Sequence, residues 1–321
     1  MLMDQFGREI YYLRVSITDK CNLRCRYCMP EEGIVLRSHD EMLRTEEMER
    51  IIRLFVQEGI RSVRITGGEP LVYKGIIPFV QALNRMNLKD LSMTTNGILL
   101  PKYAQELKAA GLNRINISLD TLDPERFRWI TRGGNVEEVF AGIEAALQAG
   151  LDPVKVNVVV SKGINQAEVW EIAQLAKERP LHLRFIELMP IGDDSLWNRE
   201  NYVSSEETKR LIENAGGQLL PKKVPGCGPA EVYTLPHWQG TVGFIHAISS
   251  HFCDTCNRLR LTSDGSIYPC LHSDISINLL EPIRSGINDE ELLNLLREAV
   301  ALKPKRSKLG SQNHCMHSIG G

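Results

Sequence analysis

Apolar residues recur along the first two-thirds of this chain with two periods in turn. Short runs alternating every second position read as strands over 11–18, 62–66, 91–94, 114–119, 154–160 and 181–188. Between them, apolar residues spaced three and four apart predict amphipathic helices over 45–57, 76–87, 102–110, 136–149, 166–178 and 206–215. Helix starts carry cap signals: Asn135 with Glu138, Asn165 with Glu168, Ser204 with Glu207, and Pro124 after Asp123 for a shorter helix. Six strand–helix units predict a parallel sheet with right-handed crossovers. After about Gly216 the pattern changes. Runs at 231–235, 241–248, 258–262 and 267–268 read as antiparallel strands, the last two joined by Ser263-Asp264-Gly265, and 289–302 reads as a helix. The chain thus divides into residues 1–215 and 216–321.

Strand alternation separates two faces. Leu13, Val15, Val63, Ile65, Leu91, Met93, Ile115, Ile117, Val154 and Val156 fall on one face and are expected to meet the helices. Arg14, Ser16, Arg64, Thr66, Ser92, Thr94, Asn116, Ser118, Asp120, Lys155 and Asn157 fall on the other, with Arg184 on the sixth strand. The inside of a closed eight-stranded barrel is packed with branched apolar side chains. A polar, cationic inner face predicts instead an α/β fold built as an incomplete, open (β/α)6 TIM-like barrel, with a C-terminal cluster-binding region closing it. Buried cations need anionic partners, so a polyanion is expected in the lumen. A sheet with one face in water would also read as alternating, but that is uncommon for parallel strands.

The 321 residues suffice for one large domain or two ordinary ones. Charged residues make up 24% and the net charge is −2, so no global attraction to nucleic acid or to a membrane surface is expected. No apolar run approaches the ~18 residues of a membrane span, and the first residues lack a signal-peptide core, so a cytoplasmic location is expected. In such a compartment cysteines act as ligands more often than as disulfides.

Six of the eight cysteines form two triplets, leaving Cys227 and Cys315 as spare thiols. Cys21, Cys25 and Cys28 form C-x3-C-x2-C directly after the first strand, and Cys253, Cys256 and Cys270 form C-x2-C-x13-C near the other end. A closed structural zinc site takes four ligands. Three thiolates leave one iron of a cubane cluster open to a small molecule. His39 is the nearest candidate for a fourth ligand to the first triplet; His246, His251 and His272 are candidates for the second.

The first triplet, with Tyr27 before its last cysteine, resembles the signature of the radical S-adenosylmethionine (SAM) superfamily. Thr66-Gly67-Gly68-Glu69-Pro70 after the second strand resembles the GGEP motif of that superfamily, and Ser118 and Met189 match further SAM-contacting positions. Cys253-Asp-Thr-Cys256-Asn-Arg258-Leu259-Arg260, Cys270 and the final Gly320-Gly321 resemble the molybdenum cofactor biosynthesis protein A family, the GTP 3′,8-cyclases. The resemblance extends over essentially the whole chain. It implies two [4Fe–4S] clusters, one per triplet, with SAM at Tyr27, Gly68, Ser118 and Met189. It implies GTP at Arg14, Arg64, Thr94, Lys155, Arg258, Leu259 and Arg260, and catalytic roles for Arg14, Lys155, Gly320 and Gly321. Four of these GTP positions, Arg14, Arg64, Thr94 and Lys155, already fall on the inner face by strand parity.

The implied reaction is reductive cleavage of SAM at the first cluster to a 5′-deoxyadenosyl radical, hydrogen abstraction from C3′ of GTP, and closure onto C8 of the guanine. The second cluster would bind the guanine. An external electron donor and a downstream cyclic pyranopterin monophosphate synthase are implied partners; the sequence leaves a homodimer open. A peptide-modifying radical SAM enzyme could also carry auxiliary cysteines, but would not need the inward cations. A non-catalytic electron carrier would need neither an open iron nor a polar lumen. The basic run 303–308 reads as a solvated segment.

Overall fold

A computed structural model describes residues 1–34, 37–191, 200–224, 228–307 and 319. The first part alternates strand and helix: β1 (Tyr12–Ser16), α1 (Thr45–Glu58), β2 (Ser62–Thr66), α2 (Ile76–Asn84), β3 (Asp90–Thr95), α3 (Leu100–Ala109), β4 (Arg114–Ser118), α4 (Pro124–Thr131), α5 (Val136–Gln148), β5 (Val154–Val160), α6 (Val169–Gln174), β6 (Leu181–Glu187) and α7 (Ser205–Gly216). There follow β7 (Leu220–Pro221), β8 (Glu231–Thr234), β9 (Thr241–Ile245), β10 (Arg258–Leu261), β11 (Ser266–Tyr268), β12 (Ile277–Asn278), α8 (Leu280–Arg284) and α9 (Asp289–Ala301).

β1 to β6 pair in sequence, all parallel. The strand order is β12-β11-β10-β1-β2-β3-β4-β5-β6-β9-β8-β7, so β1 and β6 do not meet and the barrel stays open. The apolar face is the core: Leu13, Val63, Met93, Ile115, Val156 and Leu183 have no exposed surface and pack under the helices.

The C-terminal strands depart from the antiparallel expectation. β7–β8–β9 and β10–β11–β12 are antiparallel as read. However, β9 lies parallel to β6 and β10 parallel to β1, each extending one side of the six-stranded sheet. Alternation fixes which face of a strand is buried but not which neighbour its backbone meets.

Two cap expectations also change. Asn165 does not cap a helix: its amide donates to the carbonyls of Asp120 and Val159 at 2.6 and 2.8 Å and accepts from Ser161 N–H at 2.8 Å. Glu168 reaches Thr121, Leu122 and Arg126 instead. Asn135 caps α5 through Glu137 N–H rather than through Glu138, while Ser204 accepts from Glu207 N–H at 3.1 Å as expected.

Candidate functional site

The two triplets sit at opposite ends of the sheet. Cys21, Cys25 and Cys28 follow the C-terminal end of β1, where parallel α/β folds place their ligands. Cys256 precedes β10, whose start pairs with the start of β1 through Arg258 and Tyr12. Cys270 follows the antiparallel β11, so its loop returns to that same N-terminal end. The stretch 246–257 runs from the end of β9 to the start of β10 and carries Cys253 and Cys256 across the open side.

The first loop is held by its neighbours. Arg24 N–H donates to Thr131 O at 3.0 Å and Arg26 N–H to Ile130 O at 2.9 Å, which fastens the loop to the end of α4. Arg132, in the left-handed region at φ 54°, donates to the carbonyls of Arg24 and Met29. The glycines after β2 press on the run leading into Cys21. Gly68 N–H donates to Thr18 O and Glu69 N–H to Lys20 O, both at 2.8 Å. A Cβ on Gly68 would stand 2.5 Å from Lys20 O, so only glycine fits. A ligand's amino group is a donor, so it would need carbonyl acceptors here. The buried Glu69 accepts from Leu71 N–H, Thr95 Oγ1 and Asn96 N–H, and burial raises its carboxyl to about 7.

Tyr27 donates to Asp120 Oδ2 at 2.8 Å, and Asp120 Oδ1 accepts from Val159 N–H at 2.8 Å. Burial raises Asp120, and raises Tyr27 and Cys25 well above their ordinary values, with Asp120 and the neighbouring thiols adding to the rise. A thiol in this position becomes a thiolate only with strong positive charge bound to it, which an iron cluster supplies.

Cys253, Cys256 and Cys270 line one cavity with His251, His272 and Lys303. Burial opposes ionisation of Cys256, but Lys303 and Arg258 outweigh it and lower its pKa. His246 instead approaches Glu231 at 3.5 Å. Among the described residues no group of three or more His, Cys, Asp or Glu gathers closely enough to hold a single metal ion.

Between the triplets, the inward rungs are cationic. Arg260, Arg14, Arg64 and Ser92 stand side by side, and Ser92 continues to Arg114. A second rung runs Thr94, Asn116, Lys155, His182. The carboxylate met here is Asp90, bound by Arg114 at 2.7 and 2.6 Å. Burial first, then Arg184, Arg114 and Arg64, lowers Lys155 to about 6; burial, Lys155 and Arg184 lower His182 to about 4. Thr94 Oγ1 and Arg64 Nε are buried with no hydrogen-bond partner among the described residues. Such a lumen is arranged for an anion with several negative groups.

Residues 15–176 match the Radical SAM superfamily, and residues 181–309 match Molybdenum Cofactor Synthesis C. A GTP 3′,8-cyclase of Heliobacterium modesticaldum is 53% identical over 327 residues, covering 100% of both chains. One of Pelotomaculum thermopropionicum is 49% identical over 325 residues, again covering 100% of both. The chain belongs to the GTP 3′,8-cyclase family of radical SAM proteins. Membership implies a [4Fe–4S] cluster and SAM. Among solved structures, Streptococcus suis SuiB bound to S-adenosylmethionine aligns with a TM-score of 0.60 at 16% identity, covering 86% of this chain and 62% of that one. The AdoMet-bound anSMEcpe aligns at 0.56 and 17%, covering 88% and 77%. At that identity they share the fold, the partial barrel.

In this family member the expected residues are distributed as follows. Arg14, Arg64, Thr94, Lys155, Arg258 and Arg260 stand on inward register positions. Tyr27 and Gly68 stand at the first triplet, and Ser118 ends β4 at the same edge. Met189 lines the cavity of the second triplet. Leu259 is fully buried in the apolar core opposite Leu13, so any contact it makes with a lumen ligand runs through its main chain. Gly320 and Gly321 lie outside the described residues, as do Cys227 and Cys315. The carbonyl of the buried Ile319 accepts from Arg260 Nη1 at 3.0 Å. Sequence reasoning missed Arg114, His182 and Lys303. The first two share the inward parity of their strands and could have been found from it; Lys303 carried no such signal.

Proposed function

We propose that this protein is a radical SAM GTP 3′,8-cyclase, converting GTP to 3′,8-cyclo-7,8-dihydro-GTP at the start of molybdenum cofactor biosynthesis. The observation that carries this reading is the cationic lumen set between two cysteine triplets at opposite ends of one open barrel. Residues 1–215 would form the radical SAM part and 216–321 the region that closes it.

Cys21, Cys25 and Cys28 would hold a [4Fe–4S] cluster and Cys253, Cys256 and Cys270 a second. Bound there, these clusters and SAM would supply the electron and the radical chemistry. The protein's own groups supply position. Tyr27, Gly68 and Ser118 would contact SAM, and Met189, which follows the C-terminal end of β6, would reach SAM from the edge of the second triplet's cavity. Arg14, Arg64, Lys155, Arg258 and Arg260 would bind the triphosphate and ribose, the arginines through their planar fork and the lysine as a point charge. Thr94 would complete its hydrogen bonding on the nucleotide, and Leu259 would offer its main chain. Gly320 and Gly321 would reach the lumen beyond Ile319 and assist the radical step. Enclosing the lumen keeps water away from reactive intermediates. An external donor would reduce the clusters, and a cyclic pyranopterin monophosphate synthase would take the product. Among the described residues no helix is long and apolar enough to cross a membrane.

Anaerobic incubation of reconstituted protein with SAM, dithionite and GTP, followed by mass spectrometry, tests this. GTP-dependent 5′-deoxyadenosine together with a cyclised GTP-derived product is expected. Deoxyadenosine with GTP untouched would point to another substrate, and no deoxyadenosine from iron-replete protein would defeat the enzyme reading.

A further inference from the structure

The basic run 303–308 begins with a side chain that is not solvated. Lys303 is 1% exposed, although it follows the exposed Leu302 directly after α9. Its ammonium donates to Arg258 O at 2.7 Å and to Pro269 O at 2.7 Å. Arg258 lies two residues after Cys256, and Pro269 lies immediately before Cys270. One buried nitrogen therefore ties together the two stretches that bring these cysteines to their common cavity, whose wall it also forms. An ammonium has three donors. Two are spent on the carbonyls, and the third interaction is with Cys256. Among the described residues no carboxylate forms an ion pair with Lys303. A buried cation without a carboxylate needs other negative charge, and the thiolates of a cluster provide it.

The surrounding segment is fixed to the same site. Gln5 Nε2 donates to Lys303 O at 3.4 Å. Arg8, paired with Asp4, donates to Pro304 O at 2.7 Å, Lys305 O at 3.2 Å and Cys253 O at 2.7 Å. Ser307 N–H and hydroxyl each stand 3.5 Å from Cys253 Sγ.

We infer that Lys303 is a positioning residue of the second cluster, stapling the Cys256 and Cys270 loops together and adding a positive charge that makes the cluster easier to reduce. This rests on the assignment of a cluster to Cys253, Cys256 and Cys270. Hydrogen bonds to the sulfurs and nearby charge are among the quantities that set such a potential. Lys303 acts through the thiolates and loops it holds, with no step of its own in the reaction.

The test uses the full chain with Cys21, Cys25 and Cys28 all changed to alanine, reconstituted with iron and sulfide, so that only the second site can hold a cluster. Iron content and the midpoint from an EPR-monitored redox titration are read, with circular dichroism to confirm folding. Lys303→Met is expected to lower the midpoint so that the reduced-to-oxidised ratio at a fixed potential falls about tenfold, about 59 mV for one electron. Lys303→Arg, which keeps the charge, is expected to stay within about twofold of the parent, since nearby charge sets the potential. An unchanged midpoint and iron content in Lys303→Met overturn the inference while leaving the cluster assignment standing. If Lys303→Met holds no iron, Lys303→Gln is compared with Lys303→Arg. Retention by the arginine variant alone supports the inference, and equal loss in both overturns it. A parent that binds no iron overturns the cluster assignment itself, and this inference with it.

Discussion

Lys155 is the lumen cation whose charge is most open to change. Its side chain is buried, and burial together with Arg184, Arg114 and Arg64 lowers its pKa from 10.5 to about 6, with Asp90 opposing. Between those values the unfolded chain holds the extra proton, so this group makes the ligand-free fold more stable as pH rises through the window. A triphosphate beside the ammonium raises the pKa again. Binding above about pH 6 must then take up a proton, and affinity must weaken as pH rises. Calorimetry near neutral pH in two buffers of different ionisation enthalpy should give different apparent binding enthalpies, with the sign of net uptake; Lys155→Met should abolish the difference. Lys155→Ala should weaken GTP binding while leaving uncoupled SAM cleavage in place, and parallel loss of both would count against a nucleotide-binding role. The contrast between Leu259 and its neighbours follows from the same geometry. In β10 the side chains of Arg258 and Arg260 face the lumen and that of Leu259 faces the core, because alternation leaves no third choice.

At the scale of elements, close contacts between loops matter more than the strands they join. Gly68→Ala would place a Cβ 2.5 Å from Lys20 O and 2.6 Å from Asp19 O, with backbone on both sides and no flexible atom to yield. A cost of about 1–3 kcal/mol is expected, and the shift falls on the run entering Cys21. Lower iron content at the first triplet, with the second unaffected, is the measurable result. Glu187, at the end of β6, accepts from Ser205 N–H, Ile248 N–H, Ser249 N–H and Ser249 Oγ at 2.6–2.8 Å. It thereby fixes the start of the stretch that carries Cys253. Burial raises its pKa, but these donors together outweigh it, for a net fall. Glu187→Gln turns two acceptors into one and sets an amide N–H against backbone donors, so a lower melting temperature and reduced iron at the second triplet are expected. The positions of β1 to β6 and of the helices between them were legible from periodicity, while the two-residue β7 and β12 and the short α8 carry too few positions to show a period. The Asn165–Glu168 pair was misread because its spacing satisfies a cap, while Asn165 finds the carbonyls of Asp120, just after β4, and of Val159 in β5.

For the whole molecule, the open sheet gathers like charges from strands distant in sequence. Arg14, Arg64, Arg114, Lys155, Arg184, Arg258 and Arg260 come from six strands. Burial first, and then repulsion from these neighbours, lowers the pKa values of Arg14, Arg64, Lys155, Arg184 and Arg260, Arg184 to about 9 and Arg260 to about 10. This self-repulsion is a destabilisation that a polyanion relieves. GTP at a hundred times its dissociation constant should stabilise the fold by about 2.7 kcal/mol. Raising the salt concentration should reduce its affinity. A melting temperature insensitive to GTP and to other triphosphates would remove the polyanion from the lumen.

Periodicity determined the six strand–helix units, the inward face and its cations, because burial of one face per strand is a local property of spacing. Cysteine spacing determined the first triplet and the Cys253–Cys256 pair, because ligands on one short loop are close whatever the fold; Cys270 joins that pair through the β10–β11 hairpin. Tertiary structure alone decided that β9 and β10 extend the sheet in parallel, that the triplets lie at opposite ends, and that Lys303 is buried between Arg258 and Pro269. These depend on which backbone groups meet across long stretches of chain. Hydrogen-bonded partners there are chosen by the geometry of the assembled sheet, and no local pattern in the sequence encodes that choice.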